Sequence, residues 1–332
     1  MFLPYYGSII LSLQSFLLTV VIVTLQLLRS ELNPTMPRPS ISEKKLQEEL
    51  QYAIRHDHLI LNRLIASRMP LCLPPKTDSP LRFALGLTVF GHLYTSFEYA
   101  WETLLSQTSK PPIYLLDLET DGISRHLRLS RDLHDLAHLL GTKASKRLQK
   151  LHKNTNYFHQ DVFRLCEKKP YLILAWAWTM YLAIFNGGRF IRAELEKAGD
   201  DFWGTKNYPL EFWNFEGGDD GEKIHDAFKE HFDDAAEGLT REQKDEVIAE
   251  AKRIFHVCEE VVHVLDKKVG EEEGQQAVKA LLGAVSPMMA VRAILKMCSK
   301  GWRAVVRKCT GRGRPGMLRE EPPMSKKARM SS

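Results

Sequence analysis

Apolar residues recur at helical spacing along most of this chain of 332 residues. From residue 40 onward they return every three or four positions, as on one face of an α-helix, while the period-2 alternation of strands is nearly absent. The pattern predicts an all-α fold. The first helix of the body follows the capping-box pattern Ser40-Ile41-Ser42-Glu43, and further helices are predicted at about 81–106, 127–140, 145–166, 171–198, 221–236 and 241–268.

The first 28 residues carry no charged side chain, and residues 9–28 are dominated by Ile, Leu, Val and Phe. About 20 apolar residues suffice for a helix to cross a bilayer, so residues 1–30 are predicted to form a transmembrane signal anchor, followed by a Pro-rich linker at 31–39. Basic residues after the anchor, beginning with Arg29, favour a body that faces the cytosol from the endoplasmic reticulum membrane. A start at Met36 would instead leave the body without an anchor.

The net charge of +5 is unevenly distributed. Residues 300–332 hold ten Lys/Arg and two Glu, so they carry +8 and the rest of the chain carries −3. The helical body, predicted at 40–270, therefore has no general nucleic-acid footprint, and no nucleic-acid partner is expected. Residues 271–310 interleave apolar and basic side chains, which fits either a basic amphipathic helix on a membrane or a docked helix; residues 311–332 are predicted to be a disordered basic tail.

Three other motifs are weak indications of a binding site. The five cysteines are scattered and never spaced as CxxC, which favours free thiols over a disulfide framework or a zinc site. The glycine-rich run at 311–316 matches GxGxxG but follows no predicted strand, so a dinucleotide site fails its structural context. His134 and His138 are spaced like a metal-binding pair, yet no third ligand is near in sequence, and a surface helix pair is favoured.

His58 is the informative histidine. It lies four residues after Ile54 and three before Leu61, within the apolar stripe of its helix, whereas His56 points elsewhere. An imidazole in that stripe either hydrogen-bonds within the core or serves as a ligand. Base rates favour the core histidine, because a buried polar group is usually paired.

A glycine pair, Gly187-Gly188, interrupts an otherwise strongly apolar helical segment. Each interior glycine costs about 1 kcal/mol relative to alanine, so the pair requires a reason. One reason is a kink that brings backbone against a flat ligand. The other is a close crossing of two helices, and the sequence alone does not decide between them.

These segments resemble the heme oxygenase family, most closely its fungal-type members. The resemblance covers about residues 40–268. It rests on the order and spacing of several segments, which are the run 58–65 with the following 68–75, the run 181–189 with its glycines, the elements Phe90-Gly91-His92-Leu93-Tyr94 and Asp132-Leu133, and the late helix from Leu239-Thr240 to Phe255.

The resemblance implies an activity and roles for individual residues. Heme would be both substrate and cofactor, cleaved with O2 and with electrons from NADPH through a flavoprotein reductase to biliverdin, ferrous iron and carbon monoxide. His58 would bind the heme iron, and Gly187 and Gly188 would bring the distal backbone close to the bound oxygen. The predicted partners of the heme propionates are Lys229, Arg55 and Lys223.

One position departs from the family pattern. Relatives carry an aspartate two residues before the position of Asn186, where it organises water, and this chain has Ile184. An aliphatic side chain forms no hydrogen bonds. Either Asn186 and backbone carbonyls replace the aspartate, or the protein binds heme without turning it over. A third hypothesis, a helical scaffold tethered to a membrane, predicts no heme binding.

Overall fold

The computed structural model describes residues 45–284 except residue 108, and for 272–284 the backbone alone. Within these residues the regular structure is entirely helical, which confirms the all-α prediction. The α-helices are α1 (Leu46–Ala66), α2 (Leu81–Gln107), α3 (Ile113–Asp117), α4 (His126–Leu139), α5 (Gly141–Thr155), α6 (Tyr157–Lys168), α7 (Ile173–Ala183), α8 (Arg189–Glu196), α9 (Gly199–Trp203), α10 (Glu222–Glu237) and α11 (Arg241–Ala284). Short 3-10 turns at Met69–Cys72, Pro170–Leu172 and Glu211–Trp213 and a π-helical turn at Ile184–Gly188 complete the described elements.

Helix α2 is the central element. It packs against α4, α5, α6 and α7, and its side chains are buried around most of its circumference. Aromatic rings fill the space between α2 and α7: Phe97 stacks near Trp176 at a centroid distance of 6.4 Å and meets Tyr181 edge-on at 5.4 Å. Such rings bury a large apolar area each, so this contact anchors α7 in the core.

Two predicted helices are interrupted in the structure. The segment predicted as one helix at 145–166 is two helices, α5 and α6, which are separated at Asn156. The segment predicted at 171–198 consists of a 3-10 turn, α7, the π-helical turn and α8. Apolar periodicity survives a short irregularity of the backbone hydrogen bonds, and for this reason the pattern did not show the breaks.

Helix α11 begins at a capping box, as predicted. The Thr240 backbone N–H donates to the Gln243 Oε1 at 3.0 Å, and the Gln243 N–H donates to the Thr240 hydroxyl oxygen at 3.3 Å. The helix continues as far as Ala284. The capping-box pattern at 40–43 lies outside the described residues, within which α1 begins at Leu46.

No helix within residues 45–284 is long and apolar enough to cross a membrane. The predicted anchor at 1–30 and linker at 31–39 lie outside the described residues, as do the tail at 311–332 and most of the predicted helix at 271–310. A compact unit ends at Val262, and the features described below belong to it.

Candidate functional site

His58 lies on α1 with its imidazole half-buried. The ring meets Phe255 of α11 edge-on at 6.0 Å, and its two nitrogens lie 3.4 and 3.3 Å from the amide nitrogen of Asn62. Within the described part of the chain that amide is the hydrogen-bond partner of the ring. Because Asn62 is exposed and both distances are long, His58 is not the satisfied core histidine that base rates favoured.

Burial lowers the pKa of the His58 imidazole below its ordinary value of 6.5. The ring is therefore neutral at pH 7, and at least one nitrogen carries a free lone pair. A neutral imidazole that is half-open to solvent is chemically competent to bind a metal centre.

The glycine pair lies in a π-helical turn, Ile184–Gly188, between α7 and α8. A π turn widens the helix by one residue, and such turns are frequent at functional sites. Gly188 itself has ordinary helical dihedral angles, φ −61° and ψ −37°, so it is not required there for backbone freedom. Its role must come from what surrounds it.

The two glycines have different surroundings. Gly188 is buried, and a Cβ placed on it would lie 3.1 Å from Cε3 of Trp213 and 3.4 Å from Cγ2 of Ile184. Gly187 is exposed, and a Cβ there would meet no atom within 4 Å. Gly188 thus permits close packing, while Gly187 leaves an open surface, so each of the two explanations left open by the sequence applies to one glycine.

The distal segment consists of α7, its π turn and α8, and its open side includes two residues with a small side chain or none, Ala183 and Gly187. Ala183, Asn186, Gly187 and Phe190 are all exposed there, and Ala183 and Gly187 are one turn apart. Ile184 and Phe185 point to the other side and are buried. The backbone is therefore accessible along one side of the turn, flanked by the aromatic ring of Phe190 and the amide of Asn186.

Aromatic residues support the π turn from behind. Phe185 stacks on Phe215 with centroids 4.4 Å apart and planes 9° apart, and it also contacts His225 of α10 at 4.8 Å. The guanidinium of Arg125 lies 4.3 Å from the centroid of the Phe215 ring, in cation–π geometry. These contacts hold the turn against Phe215 and α10.

A buried carboxylate, Glu98 of α2, ties the distal segment to α4. It accepts hydrogen bonds from the Tyr181 hydroxyl at 3.0 Å, the Ser124 hydroxyl at 2.9 Å, the backbone N–H groups of Arg125 and His126 at 2.9 and 2.8 Å, and the His126 ring at 2.7 Å. Apolar periodicity alone did not predict a role for Glu98. The available signal was its spacing, since Glu98 follows Tyr94 by four positions inside an apolar face.

Lys229 lies on α10 between two anchored neighbours. One turn earlier, His225 contacts Phe185 of the π turn. One turn later, Asp233 accepts hydrogen bonds from Lys45 and Gln47 at the start of α1, both at 2.7 Å. Residues four apart share a helix face, so α10 brings Lys229 between the first helix and the distal turn. The proximity is electrostatic as well, because Lys229 adds to the burial that lowers the pKa of His225.

The other two predicted cations are less constrained. Lys223 is almost fully exposed and reaches Asp219 at 4.0 Å. Arg55 is exposed on α1, one turn before His58. The structure thus associates Lys229 with the distal turn more closely than it does Lys223.

An open cavity of about 330 Å³ lies elsewhere. It lies between α4 and α5 over α2, and its lining includes Leu133, His134, Leu148, His152 and Lys153. His134 and His138 are both exposed on α4, as expected for a surface pair, and the described residues contain no group of three side chains suited to hold a metal ion. Because this cavity is not lined by a group of side chains suited to metal binding, we take His58 and the distal segment as the candidate site.

Comparison with known proteins identifies the family to which this chain is similar. The family model for heme oxygenase matches residues 48–264. The fold is similar to the crystal structure of heme oxygenase 2 from Chlamydomonas reinhardtii without heme, with a TM-score of 0.55 and 21% identity over 67% of this chain and 98% of that one. It is also similar to heme oxygenase-1 from the cyanobacterium Synechocystis sp. PCC6803 in complex with heme, with a TM-score of 0.53 and 15% identity over 72% of this chain and 100% of that one. No curated protein sequence matches the chain.

Proposed function

The chain belongs to the heme oxygenase family, and we propose that it binds heme and cleaves it to biliverdin, ferrous iron and carbon monoxide. The observation that carries the proposal is that the chain has both a half-buried imidazole at His58, whose ring nitrogens have no strong partner among the described residues, and an open backbone at Gly187. The structure of a heme oxygenase from Synechocystis in complex with heme supports heme as the ligand, although it shares only 15% of its residues with this chain.

The proximal side fits a heme. His58 is neutral because burial lowers its pKa, so no proton has to leave before a ring nitrogen binds iron. Phe255 meets the ring edge-on and forms one wall beside it. The competing Asn62 amide is exposed and at a long distance, so it is released to water at little cost.

The distal side fits a flat ligand. A planar macrocycle requires a surface free of large side chains, and Ala183 and Gly187 provide one over a full helical turn. Phe190 adds an exposed aromatic ring beside them, which would stack against or border the macrocycle. Gly188 is not part of this surface, since it packs against Trp213.

The propionates of heme are carboxylates, and they require cationic or hydrogen-bonding partners. Lys229 is the first candidate because of its place between α1 and the distal turn. Arg55 lies on the same helix as His58 and is the second candidate, and the exposed Lys223 is the third.

Heme, when bound, supplies the iron that activates dioxygen and the ring that is cleaved, with electrons from an NADPH-dependent flavoprotein reductase. The chain's own residues position it and control water. Ile184 and Phe185, buried among Trp213 and Phe215, keep bulk water out from behind the distal turn. Asn186 is the exposed amide of the turn, and it can donate to or accept from a water molecule on the open side.

A second candidate function is heme binding without turnover. The observation in its favour is Ile184, which occupies the position of the family's aspartate and is only 2% exposed. Its side chain packs toward Gly188 and Trp213, so it offers no hydrogen bond to a distal water network. In this alternative the chain would store, carry or sense heme.

Heme binding is tested first, with the full-length protein and hemin. We expect one equivalent of hemin to produce a Soret band that His58→Ala abolishes or shifts, with the helical circular dichroism unchanged. The matched control is His56→Ala, which removes an exposed imidazole two residues away and should leave the band intact. A Soret band that is insensitive to His58→Ala would refute the ligand assignment.

Turnover is tested separately on the same complex. Adding NADPH and a flavoprotein reductase in air should bleach the Soret band while biliverdin absorbance and carbon monoxide appear. An intact Soret band after many reducing equivalents would establish the binding function and reject the oxygenase.

The reductase partner and the membrane are further proposals. We propose that residues 1–30 anchor the chain in the endoplasmic reticulum membrane with the body in the cytosol, where NADPH is available. Full-length chain should then remain in the membrane fraction at alkaline pH and be digested by protease added outside sealed microsomes. Recovery in the soluble fraction would reject the anchor.

A further inference from the structure

Helix α5 presents a line of lysines, and we propose that this line lies against an anionic phospholipid bilayer. Lys143, Lys146, Lys150 and Lys153 form the lysine stripe. They are spaced by three, four and three residues, which keeps them on one side of the helix over about 15 Å. The inference concerns a surface outside the candidate heme site and does not rest on heme chemistry.

The stripe is exposed and without ionic partners. All four side chains are exposed, and none forms an ion pair within the part of the chain that the structure describes. The opposite side of α5 is held by the buried residues Ala144, Leu148, Leu151 and Thr155. The helix is therefore docked through one side and presents four free ammonium groups on the other.

The sequence around the stripe contains basic residues and no acidic ones. Residues 136–160 contain five Lys/Arg and no Asp or Glu. Like charges three or four residues apart weaken a helix, and each neighbouring pair in the stripe has this spacing. Other helices of the chain offset some of their cations, as in the Arg192–Glu196 and Arg241–Asp245 ion pairs. A face that served only solubility would tolerate such acids, so we infer that an anionic partner neutralises the stripe.

The chemistry of the stripe favours a bilayer over other polyanions. Nucleic-acid surfaces interleave cations with stacking aromatics, and α5 contains no Phe, Tyr or Trp. Lysine is a point charge on a flexible stem and suits a diffuse anionic surface, whereas arginine is preferred for paired carboxylates and phosphates of fixed geometry. The uncharged apolar segment at 9–28 of the same chain is long enough to bring the body to a membrane surface.

Lysine acylation of the full-length protein tests the contact residue by residue. The protein is reconstituted into vesicles of phosphatidylcholine alone or of phosphatidylcholine with phosphatidylserine, and labelling rates are read by mass spectrometry. We expect the four stripe lysines to react about fivefold more slowly when phosphatidylserine is present. This factor corresponds to the electrostatic attraction of one surface lysine to an anionic leaflet. The protection should vanish at about 1 M salt, where the Debye length is about 3 Å.

The reference lysines are Lys76, Lys110, Lys206 and Lys252, which are exposed, dispersed and without an ion pair in the described structure. Their rates should not depend on phosphatidylserine. Equal rates for the stripe in both vesicles, or equal protection of the reference lysines, would overturn the proposal. Protection of the stripe only after an acidic protein is added would also overturn it and assign the surface to that protein.

Paired variants give an independent readout. In a mixture of the two vesicle types, replacing the four stripe lysines by glutamine should reduce the preference for phosphatidylserine vesicles by at least the fivefold expected for one lysine. The same replacement of the four reference lysines removes equal charge and should reduce the preference less. Equal loss in both variants would mean that net charge alone matters, and the stripe would have no special role.

Discussion

Glu98 provides the sharpest test of how the distal segment is held. Glu98 is 2% exposed, and its carboxylate accepts hydrogen bonds from four residues. They are Ser124 and Arg125, which directly precede α4, His126 of α4 and Tyr181 of α7. The perturbation is Glu98→Gln, which preserves the shape, removes the charge and turns one acceptor oxygen into a donor NH2. That NH2 would face groups that themselves donate, so part of the network is left unsatisfied.

The magnitude follows from the number and type of these bonds. A hydrogen bond to a charged group contributes about 1.5–3 kcal/mol, and breaking a buried charged network costs about 3–5 kcal/mol. Because Gln retains one acceptor, we expect Glu98→Gln to reduce the free energy of unfolding by about 2–4 kcal/mol. In a domain of this size, each kcal/mol shifts Tm by about 2–4 °C, so Tm should fall by roughly 10 °C.

The assay is thermal and urea unfolding followed by circular dichroism. The matched control is Glu167→Gln on α6, an exposed glutamate without an ion pair in the described structure, which should change Tm by less than about 2 °C. Tyr181→Phe removes one donor and should reduce stability by about 1.5 kcal/mol. A Tm for Glu98→Gln within 2 °C of the parent, as expected for a surface site, would refute the reasoning.

Three further outcomes are expected. Gly188→Ala should destabilise the protein by about 1–2 kcal/mol in urea unfolding, because the added Cβ presses on Trp213. Gly187→Ala should be neutral or stabilising by up to about 1 kcal/mol. Equal effects of the two substitutions would contradict the surroundings assigned to the two glycines. Burial lowers the pKa of His92 from 6.5 to about 4, so the folded protein should lose stability as the pH falls from about 6.5 toward 4. His92→Gln should flatten this part of a plot of Tm against pH. An unchanged slope would exclude His92 as the titrating group. Thr240→Ala removes the hydroxyl acceptor of the α11 capping box and should reduce the free energy of unfolding, measured by chemical denaturation, by about 1 kcal/mol. No change would mean that water replaces the hydroxyl as the acceptor.

The fold class followed from periodicity because apolar residues recur every three or four positions along the chain. The predicted start of α11 was also correct, since a capping box is a local interaction of Thr240 with Gln243. Interruptions were missed where the apolar pattern continues through them, as at Asn156 and at the π turn. Hydrogen-bond register along a helix depends on neighbouring packing, which side-chain periodicity does not encode.

By itself, the sequence determined that the chain is helical, that it resembles the heme oxygenases and that His58 and the glycine pair are the residues to examine. Tertiary structure decided how those residues are placed. It left His58 half-open beside Phe255, and it gave Gly188 to the core and Gly187 to the open surface. It also revealed Glu98, whose donors come from residues as many as 83 positions away. Such distinctions depend on which distant segments meet, and contacts between distant segments are set by packing of the whole domain and not by local spacing.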